Sequence, residues 1–284
     1  MFCRDSESFA LFLFSTDPRL IQTATQSGVG GVVVDWESIG KAERQVGFDT
    51  QINHDTVEDL ARVRAATRAR VLCRLNAFGP TTQAEIEAAI DNGADELLLP
   101  MVRSANEVET VLAWVNGRCD LGILIETEAA VERSGELARL PISRVYVGLH
   151  DLAIERKTAN PFQAIADGTV ERLRAAFEVP FGFAGLTLPD RGFPIPCRLL
   201  MAEMARLRCD FTFLRRSFHR DTFNLDLRYA IARIRRAMRE AFARSTAELE
   251  VEHRRLLEAI ATADGYFRAR CEMNRTDAVQ AASQ

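Results

Sequence analysis

Along positions 9–218, eight short apolar runs alternate with longer stretches in which apolar residues recur every three or four positions. The runs are unbroken and rich in β-branched or aromatic residues, as strands buried on both faces require, and the longer stretches have the period of one-sided helices. The first run is FALFLFST (9–16), followed by a helix that opens at Asp17-Pro18, with Pro early in its first turn, and reaches about Ser27. GVVVDWE (31–37) comes second, then a long loop, SIGKAERQVGFDTQINH, and a helix from about Asp55 to Thr67. ARVLCRLN (69–76) is paired with the helix TTQAEIEAAIDNG, and DELLLPMV (95–102) with SANEVETVLAWVNG. Strands at 120–127 and 144–151 flank the helical stretch AAVERSGELARL. VPFGFAGLTL (179–188) precedes a helix at about 197–208, and CDFTFLRRSF (209–218) precedes a long helix starting near Asp221.

Strands joined through helices run parallel. Eight such units predict an α/β protein of the (β/α)8 TIM-barrel type, with an open doubly wound sheet as the alternative, because counting strands does not show closure. Gly28, Gly93 and Gly117 fall where helices end, which supports the boundaries. We expect the barrel over 1–222 and a C-terminal helical extension over 223–284. In that extension Ile231, Ile234, Met238 and Phe242 recur at helical steps, and Leu249, Leu256 and Ile260 continue the apolar face. Ser245 with Glu248 reads either as a capping box opening a second helix or as part of one continuous helix. Arg233, Arg235, Arg236 and Arg239 form a basic stripe expected on a solvated face, and the polar tail MNRTDAVQAASQ is expected to fray.

Composition narrows the class. With 47% hydrophobic and 27% charged residues the chain is an ordinary globular one, long enough to bury a large core. A net charge of −4 gives no electrostatic reason to expect nucleic acid. No apolar run approaches the length of a membrane span, and the start of the chain does not resemble a secretory signal. The six cysteines, at 3, 73, 119, 197, 209 and 271, show no metal or redox spacing, so a reducing cytoplasm is the expected setting.

A barrel places active-site groups where strands end. Asp35 and Glu37 end the second run, Arg74 and Asn76 the third, Glu126 the fifth, and His150 with Asp151 the sixth; Arg215 and Arg216 lie near the end of the eighth. Glu126 and Asp151 end two consecutive parallel strands and so emerge at one edge, where two carboxylates suit a hard divalent cation, Mg²⁺ or Mn²⁺ above all. The planar fork of Arg74 matches a substrate carboxylate; the competing role is an ion pair with Asp35 or Glu37. Asp35 and Glu37 face the same side, and if that side is the interior at least one of them must be paired or metal-linked. Asn76 points the way Arg74 does, and the turn Gly148-Leu149-His150-Asp151 offers backbone N–H groups to an anion.

In VDWE, CRLN, GADELLLPM, LIET and VGLHDL, in that order, the chain resembles the HpcH/HpaI aldolase and citrate lyase β-subunit superfamily over about residues 30–218. The resemblance implies that Glu126 and Asp151 ligate the cation and that Arg74 contacts the substrate or its enolate oxygen. It also implies that the N–H groups around Leu149, His150 and Asp151 receive a 2-oxo acid carboxylate. The implied reaction is cleavage or formation of a C–C bond through a pyruvate-like enolate, on a 2-oxo acid or derived sugar acid. Arg74, Glu37 and His150 are then the catalytic candidates, with Asp35, Asn76, Gly148 and Leu149 on the substrate. Two positions depart from the pattern: Ser38 stands where many relatives carry a His used as acid/base, and Met101 where lyase relatives carry a Lys. His150 and His54 are the candidates to compensate, while His219 and His253 are expected to be solvated. The loop LPDRGFPIP (188–196) is expected over the rim. Alternatives are an acyl-CoA lyase or thioesterase, against which no basic cluster for a CoA diphosphate stands out at the rim, and a catalytically silent carboxylate-binding barrel. Barrels of this family often pack a C-terminal helix on a neighbouring subunit, so a homo-oligomer is expected.

Overall fold

The structure is a computed structural model that describes residues 9–39, 54–214 and 216–282, with side chains to 274. Arg215 and most of the long loop after the second strand lie outside the described residues. The eight strands are β1 (Ala10–Phe14), β2 (Gly31–Asp35), β3 (Arg70–Arg74), β4 (Glu96–Leu99), β5 (Asp120–Ile125), β6 (Arg144–Val147), β7 (Phe181–Leu186) and β8 (Phe211–Leu214). They pair in chain order and close, β8 lying parallel to β1 with Leu13 opposite Leu214. The open-sheet alternative is thereby removed: this is a (β/α)8 barrel.

Two apolar layers hold it. Phe12, Val33, Leu72, Leu98, Leu124, Tyr146, Phe211 and Phe213 fill the barrel interior, and a larger cluster packs the outer strand faces against the helices. Because a strand's side chains alternate, every strand but β7 buries a residue in each layer, which is why the runs read as continuously apolar. Glycine makes room for the wide inner residues: a Cβ on Gly31 would overlap the Arg70 carbonyl oxygen and press within 2.9 Å of the Phe12 ring.

The outer helices begin with α1 (Pro18–Gln26), α2 (Val57–Ala66), α3 (Thr82–Asp91) and α4 (Ala105–Val115). Asp17 caps α1 by accepting from the Arg19 N–H at 2.8 Å, and Thr56 with Asp59 forms a capping box on α2. The stretch expected as one helix between β5 and β6 is two short ones, α5 (Glu128–Glu132) and α6 (Ser134–Leu137). The poor helix formers Ser134 and Gly135 follow the break. After β6 come α7 (Leu149–Glu155), α8 (Gln163–Ala166) and α9 (Thr169–Ala176), and after β7 comes α10 (Cys197–Arg206).

The eighth strand stops at Leu214 rather than running to Phe218, since Arg216 already opens α11 (Arg216–Thr222). The long helix expected near Asp221 is instead α12 (Leu227–Phe242), capped by Asp226, and α13 (Thr246–Ala282). Ser245 and Glu248 form the capping box that separates the two, with N···O distances of 2.8 and 3.3 Å. Helix α12 lies against α1 and α10 and completes the ring of helices, burying Ile231, Ile234 and Met238. Helix α13 packs along α10 and α8, and continues through the polar tail, which holds no Pro or Gly to stop it. The arginine stripe of α12 is only partly solvated: Arg233 pairs with Asp190 at 2.8 Å and Arg235 donates to the Gly28 carbonyl at 2.8 Å. Among the described residues no helix is long and apolar enough to cross a membrane.

Gly31→Ala is expected to lower stability by about 1–3 kcal/mol, as for overpacked interiors, read as a lower urea midpoint. Gly135→Ala, where an added Cβ meets nothing within 4 Å, is expected to raise the midpoint slightly, by up to about 1 kcal/mol in stability, because Ala is the better helix former.

Candidate active site

On four of the strands the inward row leads to a candidate site position at the C-terminal rim. Two positions beyond Val33, Leu72, Leu124 and Tyr146 stand Asp35, Arg74, Glu126 and Gly148, so strand alternation alone turns these four toward the barrel mouth. Arg74 is fully enclosed. Its Nε and Nη2 donate to the two oxygens of Asp35 at 2.7 and 2.6 Å, and Nη1 lies 2.9 Å from Glu37 Oε2. The Phe14 ring lies 5.4 Å from its guanidinium carbon. Burial opposes the charge of Arg74, but Asp35 and Glu37 outweigh that cost and hold its pKa well above the ordinary arginine value. The ion pair weighed against a substrate-carboxylate role is therefore the one present, and it uses both carboxylates of the second strand.

Glu126 is 2% exposed and accepts from the Met101 N–H at 3.1 Å. Met101 sits in the left-handed region, φ 53°, a conformation costly for a residue with a side chain, and buries that side chain where lyase relatives carry Lys. Burial first, and then the charges of Asp151 and Glu37, push the Glu126 carboxyl up to about 8, against the pull of Arg74 and of the Met101 N–H. Asp151, in the first turn of α7, is 8% exposed. Gly148 lets Glu126 in: a Cβ there would overlap the Glu126 carboxylate.

The remaining candidates fall differently. Asn76 is spent on bracing, its Oδ1 accepting from the N–H groups of Ser38 and Ile39 at 2.9 Å and its Nδ2 donating to Glu85. Leu149 and His150 line a cavity of about 490 Å³ that opens at the rim and reaches Tyr146 inside the barrel. Asp151 lines it as well, whereas Glu126, Arg74, Asp35 and Glu37 lie behind its wall. His54 is exposed. Two expectations need correcting. His219 is not solvated: its Nε2 lies 2.8 Å from the Phe14 carbonyl oxygen and it lines the cavity. His253 is held 2.8 Å from the buried Glu203. A third correction concerns the rim, where Arg216, Arg220 and Arg270 all border the cavity, a basic group not evident in the sequence.

Several lining residues were not anticipated. Tyr146 was legible in principle, two positions before Gly148 on the inward row. Thr187, whose hydroxyl is 2.7 Å from Asp221 Oδ2, and Tyr266, Phe267 and Arg270 on α13 carry no local signal. They are brought in by packing between segments far apart in sequence.

Among the described residues no group of three or more His, Cys, Asp or Glu side chains is arranged around one point to hold a metal ion. The donor set on hand is the carboxylate pair. It fits a hard cation of the Mg²⁺ type, which takes one or two carboxylates and completes its shell with water and substrate. A buried carboxyl whose proton affinity is raised by burial and by a second carboxylate is an arrangement that such a cation relieves.

A closed parallel barrel with ionisable groups gathered at its C-terminal rim defines a barrel of the enzyme type. The family model for HpcH/HpaI aldolase/citrate lyase matches residues 8–163, more than half of the chain, and the chain belongs to that family of aldolases and lyases. Among solved structures the chain is similar to the HpcH/HpaI aldolase from Desulfitobacterium hafniense DCB-2, with a TM-score of 0.56 and 14% identity over 77% of this chain and 90% of that one. At that identity the likeness shows the fold. No curated protein matches the chain at a significant level.

Two outcomes follow from the buried charges. A carboxyl raised to about 8 in the fold keeps a proton that the unfolded chain releases near the ordinary value of 4.5. Stability of the metal-free protein therefore falls as pH rises between those values, and levels off above. Glu126→Gln is expected to flatten that dependence, matching wild type near pH 4.5 and exceeding it by up to a few kcal/mol at pH 8, measured by urea unfolding with chelator present. Arg74→Met leaves Asp35 and Glu37 buried without their cation and is expected to cost about 3–5 kcal/mol in the same assay.

Proposed function

We propose that this protein is a divalent-metal-dependent carbon–carbon lyase or aldolase acting on a 2-oxo acid or derived sugar acid, with Glu126 and Asp151 holding Mg²⁺ or Mn²⁺. The observation that carries the reading is Glu126, buried at the end of β5 with its carboxyl raised by burial and by the charge of Asp151, beside a cavity that Asp151 lines and that enters the barrel. When bound, the cation supplies Lewis-acid stabilisation of the negative charge that develops on a 2-oxo group. Arg74, locked by Asp35 and Glu37, adds a fixed positive charge that needs no reorganisation during reaction. Gly148 leaves the space in which Glu126 stands, and the N–H groups at Leu149 and His150 face the substrate carboxylate.

Proton transfer falls to an imidazole on the cavity wall, because Ser38 offers no base. Two line it. His150 stands exposed at the rim. His219 is tied through Nε2 to the Phe14 carbonyl, which fixes the proton on that nitrogen and leaves Nδ1 as the acceptor of the neutral ring. In aldol cleavage such a base takes the proton of the 4-hydroxyl as the C3–C4 bond breaks, and returns it to C3 of the enolate.

The test is exchange of the pyruvate methyl protons in deuterated buffer, with Mg²⁺, Mn²⁺ or chelator. We expect exchange only with metal, its loss in Glu126→Ala, and a drop of about 10²–10⁴-fold in whichever of His150→Gln and His219→Gln removes the base. Absence of exchange with every cation overturns the reading and leaves a carboxylate-binding barrel.

A further inference from the structure

Among the described residues, β7 is the strand that sends no side chain into the inner apolar layer. Its register against β8 slips midway. Gly182 lies opposite Phe211 and Gly185 opposite Phe213, three steps along β7 against two along β8. One residue is therefore extra, which makes a β-bulge. Ala184 stands within it at φ 52°, in the left-handed region, a conformation that costs a residue carrying a Cβ.

The bulge turns the strand over. Residues in register on neighbouring parallel strands share a face of the sheet. Phe211 and Phe213 point into the barrel, so Gly182 and Gly185 do as well. Leu186 lies opposite Leu214 and packs with it and Leu188 in the outer cluster. Without the extra residue, the period of two would run from Gly182 to Ala184, Leu186 and Leu188, and would set two leucines in the barrel mouth. With it, the inward row is Gly182, Gly185 and Thr187, and the last two line the cavity. The bulge thus replaces an apolar plug beside Tyr146 with open space and a hydroxyl.

Its cost is met by donors on both neighbouring strands. A slipped ladder leaves backbone carbonyls without their N–H partners, and buried ones need others. The Ala184 carbonyl accepts from the Tyr146 hydroxyl on β6 and from the Thr212 hydroxyl on β8, the latter at 3.0 Å. Thr212 Oγ1 also lies 3.2 Å from the Phe183 carbonyl oxygen, and both donors are buried. Thr187 is then fixed from outside the barrel. Its N–H donates to Cys197 Sγ at 3.4 Å, and its hydroxyl donates to Asp221 Oδ2 at 2.7 Å. With that proton committed to a carboxylate, the Thr187 oxygen offers the cavity only lone pairs.

We propose that the Ala184 bulge opens the cavity into the barrel, that Tyr146 and Thr212 are the positioning residues that hold it, and that Thr187, turned inward by it, forms part of the ligand-binding wall. Bulges beside active sites commonly re-aim a side chain in this way. Only the contact between Thr187 and ligand rests on the cavity being the substrate site of the proposed lyase. The inversion of β7 does not.

The experiment is thiol labelling of the full-length protein with methyl methanethiosulfonate, resolved by site through peptide mass, with the buried native Cys209 as internal standard. Thr187→Cys is expected to react at least about tenfold faster than Cys209, and than whichever of Leu186→Cys and Leu188→Cys folds, because exchange follows access to the thiol. Tyr146→Phe combined with Thr212→Val, or Tyr146→Phe alone where the pair does not fold, is expected to reduce that ratio severalfold. Thr212→Ser, which keeps the hydroxyl, is expected to preserve it. Pyruvate with Mn²⁺ is expected to slow labelling of Thr187→Cys and to leave Cys209 unchanged. A Thr187→Cys rate equal to the references, or a ratio untouched by loss of the two hydroxyls, overturns the proposal. Proton exchange in the wild type without protection of Thr187→Cys overturns the contact with ligand. The expected labelling pattern with neither exchange nor protection sinks the lyase reading and leaves the inversion of β7 standing.

Discussion

The two ends of the barrel solve opposite electrostatic problems. At the N-terminal end one buried carboxylate, Glu96, is clasped by two guanidiniums, Arg70 at 2.8 Å and Arg144 at 2.6 Å, with Ser143 also bonded to it. At the C-terminal end one guanidinium, Arg74, is shared by Asp35 and Glu37, while Glu126 and Asp151 stand beside them. Burying charge is tolerable only when it is paired. The first arrangement satisfies that condition within the chain. In the second, burial and the charges of Asp151 and Glu37 favour the protonated form of Glu126, and the proposed chemistry follows from that.

Small residues and one strained backbone position maintain it. Gly122 gives Arg144 and Glu96 their space at the floor, as Gly148 gives Glu126 its place at the mouth. The left-handed turn at Met101 aims a backbone N–H at Glu126. With Ser38 in place of the expected imidazole, the ring nitrogens on the cavity wall come from His150 of α7 and His219 of α11.

Much of this was legible along the chain. The eight apolar runs gave the strands, and their ends gave Asp35, Arg74 and Glu126, because the period of a strand decides which residues share the inward row; Asp151 enters from the first turn of α7. The glycine and capping signals marked most helix ends, and Ser245 with Glu248 marked the start of α13 once the break before it was seen. Element boundaries were less legible. Nothing local in SFHRD says that β8 stops at Leu214, since Phe218 is as apolar as the strand residues and is buried just as fully in α11.

What the sequence determined by itself is therefore the repeat, the parallel direction of the strands and the row of polar groups at one edge. All of these are properties of neighbours along the chain. The tertiary structure alone decided that the sheet closes, that Arg74 is spent on Asp35 and Glu37, and that His219 reaches Phe14 across 205 positions. It also decided that α13 returns to wall the cavity with Arg270. Those facts depend on which distant surfaces meet, and that is settled by packing the whole chain at once, with no short-range signal to announce it.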